Sequence, residues 1–362
     1  MALTSRISLK GSEPSGPEDY LSTSLGVIFP DDVTNQHGDA EHSLVYASPH
    51  LPRPLLLDLA DPEGETDRRL FSHYLWNASL LLAELVERDT LGVEDAELHP
   101  GGGNGEDGAR VVPGLGEGVS FDVRGKAVAE LGAGTALPSM MAGLLGAERL
   151  VVTDYPAPAV IKTLRENIAR NIRPSLAPTG GEHAVTPASS ALVTGHSWGE
   201  LPDDDAFLAA NRHAMDRVLV ADCLWMPWQH ENLHRSIDHF LRRRPCGDSS
   251  SSFSTSLSAS ASSSSPSSSS VEAAAAAAAA ARCWVVAGFH TGREKMRGFF
   301  DEAALARADL EVERIWERDC DGREREWSWD REDDVTVRKR WLVVAVLKRR
   351  DNNDSNSSNN EA

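Results

Sequence analysis

The chain has 362 residues, of which 41% are hydrophobic, and carries a formal net charge of −19. This length and apolar content suffice for one sizeable core. The charge argues against nucleic acid as a partner and suits a basic peptide, although acidity that merely keeps soluble molecules apart is an equally open interpretation. The chain lacks an apolar signal-like start, an eighteen-residue apolar run and any Cys-x-x-Cys pair. We therefore expect a cytoplasmic protein without membrane contact, metal or disulfide framework.

Composition divides the chain into three parts. Residues 1–70 are rich in Pro, Gly, Ser and Asp and predict an irregular arm. We expect the main domain over residues 71–347, beginning with leucines at helical spacing up to Glu87. Two segments interrupt this domain: a Gly-rich loop at 99–120, which predicts a flexible insertion, and a Ser/Ala insertion at 246–281, which cannot bury a core. The Asn/Ser-rich tail at 348–362 is predicted to be disordered.

Within the main domain, apolar runs alternate with helical patterns. Seven strands are predicted: Ala127–Leu131, Arg149–Thr153, Ala191–Thr194, Arg217–Ala221, Cys283–Gly288, Leu310–Glu317 and Trp341–Leu347. Four helices are predicted to follow strands: Leu137–Leu145, Pro158–Asn171, Trp228–Arg243 and Arg293–Ala308. This order predicts an α/β fold with a seven-stranded, mostly parallel, Rossmann-like sheet, an antiparallel last strand and helices on both faces.

Residues 126–154 form half of a nucleotide site. A strand runs into Gly132 and Gly134, a helix follows, and the second strand ends on Asp154. The glycines allow a tight turn and close backbone approach. Asp154 lies twenty residues after Gly134, where a carboxylate can take ribose hydroxyls.

Three features indicate which nucleotide fits this turn. The third glycine of a dinucleotide fingerprint is replaced by Leu137, and a phosphate-loop Lys-Ser/Thr pair is absent. Glu130, just before the turn, would repel phosphates and suits a positively charged ligand. We therefore expect S-adenosylmethionine, whose amine and sulfonium carry positive charge.

Ligands of open α/β sheets bind at the carboxyl ends of the strands. Trp198 follows the third strand and is expected to lie against an adenine, unless it only packs the loop. Asp222 follows the fourth strand, ahead of Trp225 and Trp228, and suits an acceptor amine beside a methyl donor. Alternatively, Asp222 caps the helix that begins near Trp228. The histidines show no metal-ligand spacing and no nucleophile elbow follows a strand, so we predict neither a metal site nor Ser-His-Asp hydrolysis.

Five motifs together resemble the seven-β-strand lysine methyltransferases. They are Leu75-Trp76-Asn77-Ala78, the glycine turn from Glu130 to Ser139, Val152–Pro156, Gly195–Gly199 and Ala221–Leu224. The resemblance extends over about residues 71–245 and 282–347. It is strongest to the fungal branch that methylates the N-terminus and adjacent lysine of translation elongation factor 1-alpha, a branch earlier labelled nicotinamide N-methyltransferase.

The resemblance implies a role for each matching residue. Trp76 would line the methionine end of S-adenosylmethionine, although it could equally be core on its own merits. The donor would also be contacted by Gly132, Ala133, Gly134, Asp154, Trp198 and Ala221. Asp222 would face the acceptor amine, and Trp225 and Trp228 would hold the growing methylammonium by cation–π contact.

Three functions stay open from sequence. The first is a monomeric methyltransferase of the N-terminal amine or adjacent lysine of elongation factor 1-alpha, dependent on S-adenosylmethionine. The second is a small-molecule, nicotinamide-type N-methyltransferase, since a donor pocket does not distinguish the two. The third is a non-catalytic binding module that keeps the fold.

Overall fold

A computed structural model describes residues 2–10, 35–38, 42–61, 74–93, 112, 114–179, 184–243, 280–332, 334 and 338–350. The Ser/Ala insertion up to residue 279, the Gly-rich loop up to residue 111, and residues 351–362 lie outside these ranges. Within them, no helix is both long and apolar enough to span a bilayer. No three His, Cys, Asp or Glu side chains of the same ranges lie close enough together to hold a metal ion.

The described elements alternate along the chain. The strands are β1 (Ile7–Leu9), β2 (Gln36–His37), β3 (Leu44–Tyr46), β4 (Leu55–Leu57), β5 (Leu75–Trp76), β6 (Ala127–Leu131), β7 (Arg149–Asp154), β8 (Ala191–Gly195), β9 (Arg217–Ala221), β10 (Arg282–Gly288), β11 (Leu310–Asp319), β12 (Glu324–Glu326) and β13 (Trp341–Arg349). The α-helices are α1 (Asn77–Leu91), α2 (Leu137–Leu144), α3 (Pro158–Asn171), α4 (Ala206–Asn211), α5 (His230–Phe240), α6 (Arg293–Arg297) and α7 (Glu302–Arg307). Short 3₁₀ helices cover Leu3–Arg6, Pro174–Leu176, Ala188–Ser190, Pro227–Gln229, Phe289–Thr291 and Gly298–Phe300.

The main sheet has the strand order β12-β11-β13-β10-β9-β6-β7-β8. Strands β8, β7, β6, β9 and β10 are mutually parallel, and β13 is antiparallel to both β10 and β11. The predicted α/β fold is confirmed, with its seven strands and antiparallel last strand. One three-residue strand, β12, adds an eighth at the edge. Strand β13 runs to Arg349, two residues into the predicted tail.

The sheet separates two apolar clusters. Alternate residues of β7 point to opposite faces, with Leu150 and Val152 in one cluster and Val151 in the other. Helices α1, α2 and α3 contribute to the first cluster, and α4, α5, α6 and α7 to the second. Helices therefore cover both faces, which explains why the parallel strands are apolar along their length.

The N-terminal arm is more regular than the sequence predicts. Strands β1, β3 and β4 form an antiparallel sheet that packs into the same core as α1. The outer edge of β4 is held by two asparagines of α3: Asn171 exchanges two hydrogen bonds with Leu56, and Asn167 two with Asp58. Each strand has only three residues, too few for a recognisable alternation.

Three predicted helices differ from the structure. Leu75 and Trp76 belong to β5, which pairs with β2, so α1 begins only at Asn77. Helix α5 begins at His230, because the 3₁₀ helix Pro227–Gln229 precedes it. The predicted helix Arg293–Ala308 is divided into α6, a 3₁₀ helix and α7, and the extended Asp301 caps α7. Helix α4 was not predicted.

Candidate functional site

A cavity of about 390 Å³ opens at the carboxyl ends of β6, β7, β8 and β9, beside the start of α1. Its volume falls within the range of roughly 300–1,000 Å³ that is typical of pockets that bind small molecules. Nine of the residues that the sequence singles out as site residues line it: Trp76, Gly132, Ala133, Gly134, Asp154, Trp198, Ala221, Asp222 and Trp225.

The glycine turn after β6 forms one wall of the cavity. Gly132 has φ +67° and Gly134 has φ +56°, in the left-handed region that glycine adopts at little cost. A Cβ on Gly132 would lie 2.8 Å from the Cys223 sulfur and 2.9 Å from the Trp198 ring. A Cβ on Gly134 would meet nothing within 4 Å. The backbone at Gly132 is therefore closely packed, whereas that at Gly134 is open to a ligand.

Asp154 ends β7 opposite the glycine turn. Its Oδ2 accepts the Gly134 N–H at 2.7 Å and its Oδ1 accepts the Tyr155 N–H at 2.7 Å. Each carboxylate oxygen has a second lone-pair direction, so the group can accept two further donors, as a ribose diol requires. Burial raises the pKa of Asp154 to about 6, against the two backbone hydrogen bonds that lower it. The carboxylate is therefore predominantly ionised at neutral pH.

Glu130 does not play the electrostatic part that its position in sequence indicates. Its side chain is only 1% exposed and is not among the residues that line the cavity. The Oε2 atom accepts the Ser139 N–H at 3.0 Å and also the Ser139 hydroxyl. Burial raises the pKa of Glu130 to about 8, so it is mostly protonated at neutral pH. The inference that Glu130 repels phosphates or attracts a cation was wrong, because the carboxyl tethers the start of α2 instead.

The loop that carries Trp198 is fixed to helix α5. The Ser236 hydroxyl accepts the Gly199 N–H at 2.9 Å, and it lies 2.9 Å from Nε2 of His196. Burial lowers the pKa of His196 to about 4, so the ring is neutral and Nε2 can accept the Ser236 hydroxyl hydrogen. Asn232 packs against Gly199 from the same helix. Both ends of the short Trp198 segment are therefore anchored.

The part of the cavity that follows β9 contains Asp222 and Trp225. Asp222 has φ +58°, a strained value for a residue with a side chain, and its Oδ1 accepts the Gly288 N–H at 3.1 Å. It does not cap the following helix, since neither helix start after it has a side-chain cap. Trp228 is 71% exposed and is not among the lining residues, so the predicted second aromatic wall is wrong.

Sequence reasoning missed further residues of this cavity. Tyr74 and Tyr155 adjoin predicted site residues and could have been found by extending those motifs. Cys223 and Met226 also line it, as do Gln229 just before α5 and Asn232 and Arg235 within α5. The residues of α5 carry no local signal, because only the packing of the helix against the Trp198 loop brings them to the cavity.

The lining of the cavity fits S-adenosylmethionine on structural grounds. The open backbone at Gly134 and the paired oxygens of Asp154 suit a ribose, and Trp198, which also lines the cavity, is the type of side chain on which an adenine stacks. In the part of the chain that the structure describes, we find no Lys or Arg on the glycine turn that would neutralise phosphates.

Comparisons with known proteins agree with this geometry. A family model described as lysine methyltransferase matches residues 65–247, just over half of the chain. The protein N-terminal and lysine N-methyltransferase of Aspergillus fumigatus is 30% identical over 129 residues, 35% of this chain and 46% of that protein. The protein of the same name from Kluyveromyces lactis is 25% identical over 236 residues, 62% of this chain and 67% of that protein.

Similarity to solved structures is weaker. The mitomycin 7-O-methyltransferase MmcR has a TM-score of 0.37 at 12% identity, covering 80% of this chain and 59% of its own, which is too low to support an argument. The chain spans about half the length of the first curated relatives that it matches.

Proposed function

We propose, from the premise that this chain belongs to the lysine methyltransferase family, that it transfers a methyl group from S-adenosylmethionine to an amine of a protein substrate. The observation that carries this proposal is the single cavity in which the glycine turn, Asp154, Trp198 and Asp222 meet. A methyl donor beside Asp154 and Trp198 and an acceptor amine beside Asp222 would then lie in the same cavity.

The contacts of the residues around the glycine turn support a donor role for this half of the cavity. Asp154 would take the ribose hydroxyls through the lone pairs that Gly134 and Tyr155 leave unused. Trp198, fixed through Ser236, would lie against the adenine. Trp76 would border the methionine end. Bound there, S-adenosylmethionine supplies an electrophilic methyl group on a sulfonium.

The protein's part in the reaction is alignment and control of the acceptor's proton. The neutral amine nitrogen forms the new N–C bond as the C–S bond breaks, the sulfur keeps that electron pair, and one amine proton leaves to water. Asp222 would accept a hydrogen bond from the amine and so direct its lone pair toward the methyl carbon. Correct alignment of two reactants can lower a barrier by several kcal/mol. Trp225 would form the aromatic side of the acceptor end.

The substrate that we propose is the N-terminal amine or adjacent lysine of translation elongation factor 1-alpha, methylated in the cytoplasm by a monomer. The names of the fungal relatives support a protein N-terminus and a lysine as acceptors. An α-amine, with a pKa near ~8, is neutral at physiological pH more readily than lysine, near ~10.4. The net charge of −19 also suits a basic segment.

One experiment tests the proposal. The purified chain is incubated with isotopically labelled S-adenosylmethionine and three acceptors: a peptide with the N-terminus of elongation factor 1-alpha, the same peptide acetylated at its N-terminus and lysines, and free nicotinamide. We expect label on the first peptide only. Label on nicotinamide alone would favour the small-molecule enzyme. Absence of S-adenosylhomocysteine binding in calorimetry would favour a non-catalytic module.

A further inference from the structure

Stacking on Trp198 does not by itself explain why the cavity would take adenine rather than another base. Every base has a π-face, so an aromatic ring binds bases with little selectivity. Selection requires hydrogen-bonding groups that face the edge of the base. Two polar side chains near Trp198 are already engaged, because the Ser236 hydroxyl accepts the Gly199 N–H and lies 2.9 Å from Nε2 of His196. The group that reads the base must therefore be another polar residue of the lining.

Asn232 brings a side-chain amide to the segment that carries Trp198. It lines the cavity and lies four residues before Ser236 on α5, so both side chains extend from the same face of the helix. A Cβ on Gly199, the residue after Trp198, would lie 2.6 Å from Oδ1 of Asn232 and 2.8 Å from its Cγ. The Asn232 amide therefore packs directly against the backbone that follows Trp198.

A hydrogen bond to Gln229 fixes the orientation of this amide. Nδ2 of Asn232 donates to Oε1 of Gln229 at 2.8 Å, and Gln229 also lines the cavity. The bond uses one of the two hydrogens on Nδ2 and leaves the other available. Oδ1 of Asn232 accepts no hydrogen bond from any residue that the structure describes. Asn232 thus offers a ligand one acceptor and one donor side by side.

Adenine presents the complementary pair of groups on its edge. Its 6-amino group donates and the ring nitrogens on either side accept, so one carboxamide can form two parallel hydrogen bonds with it. In hypoxanthine a carbonyl oxygen replaces the 6-amino group, and an acceptor would then face Oδ1 of Asn232. The amide cannot turn round to meet this oxygen without breaking its bond to Gln229. Two facing acceptors remain unsatisfied, so hypoxanthine would bind more weakly.

We propose that Asn232 selects the adenine of the methyl donor, with Oδ1 accepting from the 6-amino group and Nδ2 donating to a neighbouring ring nitrogen. This inference rests on the proposed function, which places S-adenosylmethionine in the cavity. Gln229 orients the amide, and Gly199 leaves space for it because a glycine at φ +76° has no Cβ to displace it. Trp198 would then supply stacking and Asn232 the choice of base.

The test measures, by calorimetry, the affinities of the wild type, Asn232→Leu and Glu231→Leu for S-adenosylhomocysteine and for S-inosylhomocysteine, its 6-oxo analogue. Glu231 precedes Asn232 on α5, is exposed and is not among the lining residues, so it controls for a leucine on this helix. We expect the wild type and Glu231→Leu to bind S-adenosylhomocysteine about tenfold or more tightly than the analogue, as a two-bond contact to a base discriminates. In Asn232→Leu the ratio of the two affinities should fall to near unity.

The ratio separates recognition of the base from a structural role. If Asn232 only braced the Trp198 segment, its loss would weaken both ligands by the same factor, and the unchanged ratio would overturn the inference. Should leucine obstruct the site for both ligands, Asn232→Ala gives the same ratio without filling the space. A wild-type protein that binds neither ligand would refute the proposed function itself, whereas binding of S-adenosylhomocysteine with a ratio that is indifferent to residue 232 would refute only the role of Asn232.

Discussion

The substitution Glu130→Gln tests how a buried carboxyl affects stability next to the glycine turn. In the folded protein, burial raises the pKa of Glu130 from its ordinary 4.5 to about 8. Between these values the native state holds a proton that the unfolded chain has released. The contribution of Glu130 to stability is thus complete below pH 4.5 and is lost as pH rises through about 8.

The magnitude follows from the width of that window. Each pH unit in which only the native state is protonated costs ~1.36 kcal/mol. From pH 5 to pH 9 the loss amounts to about 4 kcal/mol, most of it below pH 8. Glutamine keeps an oxygen for the Ser139 N–H and does not titrate. The free energy of unfolding of Glu130→Gln should therefore exceed that of the wild type by an amount that grows by about 4 kcal/mol over this range.

The assay is urea unfolding followed by tryptophan fluorescence at unit steps from pH 5 to pH 9. Glu166→Gln is the matched control, because the Glu166 side chain is 51% exposed on α3. The control also replaces a carboxylate by an amide, but at a site that water reaches, so it separates the effect of removing a charge from the effect of burial. A pH-independent difference for Glu130→Gln would refute the reasoning, since it would mean that the native carboxyl is already ionised at pH 5.

Substitutions at three further positions test the proposed donor site through S-adenosylhomocysteine affinity measured by calorimetry. The affinity of the wild type should fall as pH drops below about 6, because Asp154 becomes protonated there. Asp154→Asn should bind weakly at every pH. If the affinity of this variant fell with pH as much as that of the wild type, Asp154 would be excluded as the titrating group. Gly132→Ala should bind at least about tenfold more weakly, because its Cβ would meet Cys223 and Trp198 at a positive φ, and an unchanged affinity would contradict this packing. Ser236→Ala should weaken binding about five- to tenfold without loss of fold, since the Gly199 N–H loses its acceptor, whereas Ser236→Thr should restore most of it.

The central sheet could be predicted because its strands are buried on both faces. All five residues of Ala127–Leu131 and of Arg217–Ala221 are buried, so each appears in the sequence as a short apolar run between turns. Ligands of open α/β sheets bind at the carboxyl ends of the strands. This principle and the order of the apolar runs were enough to predict nine residues that line one cavity. Their individual roles stay predictions.

Features that depend on distant partners could not be predicted. The edge of β4 is completed by side chains of Asn167 and Asn171, more than 100 residues later in the chain, and nothing in Leu55–Leu57 indicates them. Helical spacing continues across Arg293–Ala308, yet the Ala304 N–H is taken by the Asp301 side chain, which starts a new helix. The role of Glu130 could not be predicted for the same reason, because it depends on whether the carboxyl faces the cavity or Ser139.

The position of β13 has a consequence for how the chain assembles. The part of the sheet that borders the cavity, β6 to β9, is complete in the sequence by Ala221 and can close as a unit during synthesis. Strands β10 and β11 do not pair with each other; both pair with β13, which comes after all the other described strands in the chain. Until Trp341–Arg349 has left the ribosome, β10 exposes an unprotected edge of unpaired backbone groups, which invites aggregation. A chaperone that covers this edge during translation would protect the nascent protein at its most vulnerable stage.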